Sequence, residues 1–90
     1  MKRMNPQDLA YALGLLGWVQ DRYGHFQKDL KGAKHRLVLG PMRVSFEVQT
    51  RVTPTATSPS RTQWRIVDEF SYDNISITQN SQIRMNSRLF

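Results

Sequence analysis

No cysteine occurs in the 90 residues. That excludes disulfides, thiolate zinc sites and a cysteine nucleophile, and it fits a cytoplasmic setting, where bridges are not a means of stabilisation. Acidic residues are scarce as well: seven Asp and Glu stand against thirteen Lys and Arg, for a formal charge of +6. A pI near 10.3 favours polyanionic partners, nucleic acid first and an acidic protein surface next. Histidine is limited to His25 and His35, neither with a carboxylate at ligand spacing, so no metal centre is expected. Each reads as an exposed or packing side chain.

Long apolar runs are also missing. The most apolar stretch, residues 9–19, is too short to span a bilayer, which takes about 20 residues. Lys2 and Arg3 precede it in the manner of a secretion signal, but Asn5-Pro6-Gln7-Asp8 intervenes, and Gln20-Asp21-Arg22 stands where a small-residue cleavage site belongs. The expectation is a helix rather than an address, and no membrane partner. Nor is there a G-x-S-x-G turn or a glycine-rich phosphate loop. Asp68 and Glu69 are adjacent on an expected strand and so point to opposite faces, which keeps them from converging on a substrate. Asp68 falls in phase with Trp64, Ile66 and Phe70; held against aromatics it could act as an acid or base, but a satisfied carboxylate is the simpler reading. No catalytic residue and no cofactor is expected. A basic ribonuclease using His25 or His35 is the sharpest enzyme reading, and it is disfavoured because no acid–base pair is visible.

What is present is organised around residues 42–52. Met42, Val44, Phe46, Val48 and Val52 alternate with Arg43, Ser45, Glu47, Gln49 and Arg51, with Thr50 the one break. Such alternation gives one face to a core and one to water, as in an antiparallel sheet solvated on one side. Before it, Asn5 can cap a helix with Pro6 in its first turn and Asp8 near the positive dipole end. Leu9, Ala12, Leu16, Val19, Tyr23, Phe26 and Leu30 recur at helical spacing, which predicts an amphipathic helix over about residues 6–31, ended by Gly24 or Gly32. Gly14 and Gly17 on a neighbouring face suggest close packing by Trp64 or by a second subunit, unless they are simply tolerated.

Further strands are expected over about residues 36–39, 63–70, 74–78 and 82–87, with a mobile Pro/Ser/Thr loop at 53–62. In the last hairpin, Ile75 and Ile77 should face inward with Ile83 and Met85, and Asn80 suits a positive φ. The sum is a single α+β domain, one N-terminal amphipathic helix packed on a four- to five-stranded antiparallel β-meander. That order is shared by unrelated families and carries no function.

Two basic groups invite a phosphate backbone. Lys28, Lys31, Lys34 and Arg36 lie within a stretch opposed only by Asp29, and Arg51, Arg61 and Arg65 flank the loop. If Val48 faces Trp64, then Glu47 meets Arg65, Arg43 meets Glu69 and the polar face is neutralised. If Val52 faces Trp64, Arg51 opposes Arg65 and Glu47 opposes Glu69, a destabilising arrangement for which an anion beside the arginines would be one reason, so the first register is favoured. The leading expectation is a non-enzymatic protein holding nucleic acid by backbone contacts. The second is an adaptor, complex subunit or inhibitor that works through sheet edges and Tyr11, Trp18, Tyr72 and Phe90, with a homodimer compensating a modest core.

Overall fold

A computed structural model describes residues 4–52, 57 and 61–90. Helix α1 (Pro6–Leu15) starts as its sequence asks, with the Asn5 side chain accepting from the Asp8 N–H at 2.8 Å. It ends far short of residue 31. Gly17 takes φ +92°, the Gly17 N–H reaches the Gly14 carbonyl at 3.2 Å, and the Trp18 N–H reaches that of Leu13 at 3.0 Å. This paired closure on a left-handed residue is a Schellman stop. Gly17 is therefore a chain terminator rather than a packing glycine, and nothing lies within 4 Å of where a Gly14 Cβ would sit.

The chain then pleats. Strands β1 (Val19–Gln20), β2 (Phe26–Leu30), β3 (Ala33–Leu39), β4 (Arg43–Val52) and β5 (Arg61–Ser71) form one antiparallel sheet in chain order. The second half of the expected helix is thus strand. Phe26 and Leu30, four apart, sit on one side of a strand as readily as on one side of a helix, because four is even. What decides is the Lys31–Gly32 pair, with φ +53° and +80° between partners Leu30 and Ala33. Positive φ at both central residues makes a two-residue turn whose twist matches the flanking strands.

After β5, a short 3₁₀ turn (Tyr72–Asn74) leads into a second antiparallel sheet of β6 (Ile75–Ile77), β7 (Ile83–Met85) and β8 (Arg88–Leu89). Ser81, not Asn80, takes the positive φ in the β6–β7 turn. Ile75, Ile83 and Met85 are buried as expected, whereas Ile77 is exposed. Most of the expected 53–62 loop lies outside the described residues.

Leu9 and Leu13 of α1, both fully buried, join Trp18, Leu37, Val44, Phe46 and Phe70 and the inward side of the second sheet in one core. The Tyr72 hydroxyl donates to the Gly40 carbonyl at 2.7 Å and ties the 3₁₀ turn to the β3–β4 turn. The β4–β5 ladder reaches past this core: the molecule measures 54 × 26 × 24 Å, with a radius of gyration of 14.7 Å. A compact chain of this length would have about 12 Å. Among the described residues no helix is long and apolar enough to cross a membrane.

The β4–β5 register is neither of the two expected. Phe46 pairs Asp68 but Glu47 pairs Ile66, so Val67 is an extra residue. A β-bulge of this kind reverses which way the rest of the strand points. Phe70 and Asp68 lie on the helix side with Phe46, while Ile66 and Trp64 lie on the outer side with Glu47 and Gln49. The four residues expected on one face are therefore split between two.

Candidate nucleic-acid interface

Strand alternation also divides the expected basic residues. Lys28 and Arg65 share the inner, helix-side face with His35 and Val48, in one row across four strands (Lys28, His35, Val48, Arg65). Arg61 lies further along that face, opposite Val52. Lys31 sits in the turn between Leu30 and Ala33, beyond the open end of the β2–β3 pair. Lys34, Arg36 and Arg51 point to the outer face, opposite Asp29, Glu47 and Thr62.

Two outer cations, Arg36 and Arg43, are held by carboxylates. Arg36 donates through Nε and Nη2 to Glu47 Oε1, both at 2.8 Å, and its guanidinium lies 4.4 Å from the Trp64 ring centroid. Glu47 is the one buried charged residue among those described, and a carboxylate removed from water needs such a partner. Trp64 is engaged here and does not approach the α1 glycines. Arg43 meets Glu69 at 3.5 Å, as the neutralised register required, although the two are not directly opposite.

The inner face is different at its open end. Moving along it from the core, the rows read Leu39, Val44 and Phe70, then Phe26, Leu37, Phe46 and Asp68, then Lys28, His35, Val48 and Arg65. Helix α1 and the second sheet cover the apolar rows. Where that cover stops, a cavity of about 450 Å³ opens between the two sheets. Trp18, Phe46 and Phe90 form its aromatic wall and Lys28, Lys31, His35 and Arg88 its basic side; among the described residues no Asp or Glu side chain lines it.

The wall is built of mutual ring contacts. Phe90 meets Phe46 edge-on at 5.1 Å and Trp18 at 6.0 Å, and His35 lies on Phe46 at 5.1 Å with planes 12° apart. His35 Nδ1 is 3.0 Å from the Ala33 carbonyl, an acceptor only, so Nδ1 carries the proton and the ring is fixed. Lys28 is held as well, its Nζ donating to the Leu16 carbonyl at the end of α1 at 2.7 Å. Arg88 reaches Asp68 at 3.3 Å, with its guanidinium 5.3 Å from the Phe46 centroid. Asp68 accepts from Arg88 and from the Glu69 N–H, which is the satisfied role rather than an acid–base one.

Of the seven basic residues expected at an interface, the structure brings Lys28, Arg61 and Arg65 to one end of the inner face and Lys31 to the turn beyond it. It sends Lys34, Arg36 and Arg51 to the outer one. His35 and Arg88 were not expected at the site. The alternation of residues 33–39 could have paired His35 with Lys28 had the preceding segment been read as strand; for Arg88, nothing local signals that β8 folds back over Phe46. No protein-family model, curated protein or solved structure matches this chain.

Proposed function

We propose that the chain is a small, non-enzymatic nucleic-acid-binding protein that grips the phosphate backbone along the open end of its inner sheet face. The reading is carried by one observation: Lys28, Arg61 and Arg65 share the open end of the inner face, with Lys31 in the turn beyond it, and among the described residues no carboxylate lies across the ladder from the first three. Such a row is an electrostatic footprint for a polyanion, and it works mainly by releasing condensed counterions. The absence of cysteine adds a reducing compartment, the cytoplasm, to the proposal. Fluorescence anisotropy with labelled DNA and RNA, from low to physiological salt, tests it. Micromolar or tighter binding whose log affinity falls linearly with log salt is expected; no binding at low salt would remove the proposal.

A protein-contact role has one observation in its favour. Tyr11, Leu15 and Ile77, each more than half exposed, line a groove of about 940 Å³ between α1 and β6. Under that reading the groove seats a partner or a second copy, and association persists at high salt.

A further inference from the structure

We propose that the cavity between the two sheets receives an unpaired nucleobase, laid on the His35 imidazole, so that the protein selects single strands over duplex. This rests on the nucleic-acid reading above. Phosphate contacts alone give a single strand no advantage, since a duplex carries the denser charge. A platform for a base plane does, because bases in a duplex already stack on one another.

The platform is assembled before any ligand arrives. His35 is supported by the buried Phe46 beneath it and oriented by its bond to the Ala33 carbonyl. Among the described residues its ring makes no second aromatic contact, and it is half-buried on the cavity wall. The cavity's volume lies within the range of small-ligand sites, about 300–1,000 Å³. Lys28 is tied to the helix end and Arg88 to Asp68, which leaves Lys31, exposed at the rim, to meet a phosphate beside a seated base. With Nδ1 engaged, Nε2 is the nitrogen left to meet the edge or sugar of a neighbouring nucleotide. Stacking tolerates any base, so little sequence preference is expected.

The test compares a labelled mixed-sequence single strand, the same strand annealed to its complement, and adenosine monophosphate. The single strand should bind about tenfold more tightly than the duplex. His35→Ala should remove that preference, and His35→Phe, which keeps a ring in place, should retain it. A readout on the unaltered chain guards against a folding defect. The chain has two histidines, and the His35 ring protons should shift upfield on adding the strand while those of His25 stay put. Equal binding of strand and duplex, unmoved by His35→Ala, would overturn the base pocket and leave the backbone reading standing. No binding of either polymer would overturn both. Binding of the mononucleotide alone would reassign the cavity to a free nucleotide and likewise overturn single-strand selection.

Discussion

The two faces of the five-stranded sheet carry similar numbers of cations and differ in what stands across from them. On the outer face Lys34 faces Asp29, Arg36 is bonded to Glu47, and Arg43 reaches Glu69. On the inner face Lys28, Arg61 and Arg65 face His35, Val52 and Val48 respectively. A basic stretch in a sequence therefore says little until the register shows where its counter-charges fall. Each outer pair neutralises its own field. The inner residues leave theirs directed at the space beside the helix, where a polyanion would be drawn.

The contrast can be broken most strongly at the core that lets the inner face open where it does. Leu13→Ala removes a fully buried side chain from the helix cover. Urea unfolding should show a loss of about 2–5 kcal/mol, while Val48→Ala on the open row should cost about 1 kcal/mol or less. Breaking the outer face comes next. Glu47→Gln leaves Arg36 without its carboxylate, and a hydrogen bond to a charged group contributes about 1.5–3 kcal/mol. The variant should be destabilised by about that much, while its affinity for nucleic acid stays close to that of the unaltered chain, because the released cation is on the outer face. Gly17→Ala tests the stop that turns the chain from helix to sheet. Alanine at φ +92° is strained, and a loss of about 1–2 kcal/mol is expected in thermal unfolding.

The smallest effect is a pH dependence in the β1–β2 turn. Burial pushes the Asp21 carboxyl up, but the Gln27 side chain and the His25 and Tyr23 N–H groups donate to it and hold it below its usual 3.8. A lowered folded value means that the ionised form supports the fold. That support is complete above the unfolded value and is lost as pH falls through the folded one. Asp21→Asn should lower the Tm slightly at neutral pH and flatten the Tm-against-pH curve in the acid range, followed by circular dichroism.

The class of the fold and its central strand were legible because they rest on repeated local signals. The alternation of residues 42–52 matches β4 (Arg43–Val52) almost to the residue, and the Asn5 cap and Pro6 mark the helix start. The helix end is hidden because Phe26 and Leu30 satisfy both periods, so the pattern points past Gly17 to Gly24 or Gly32. The site was harder still. A single inserted residue at Val67 inverts Trp64 and Ile66 relative to Phe70, and nothing in the composition of a strand announces a bulge. Arg88 and Phe90 reach the site only through the fold-back of the second sheet. Local patterning fixes elements; the cavity depends on how two of them meet.

If position rather than net charge makes the interface, two triple variants will separate the faces: Lys31, Arg61 and Arg65 to Ala on the inner side, and Lys34, Arg43 and Arg51 to Ala on the outer. Each removes three charges and takes the chain from +6 to +3. Binding of a labelled single strand is then followed across a salt series for both. The inner variant should lose affinity sharply, with a salt slope shallower by about 2–3, one unit for each phosphate no longer held, while the outer variant stays close to the unaltered chain. Equal losses in the two variants would show that overall charge alone drives association, and would overturn the assignment of the interface to the inner face.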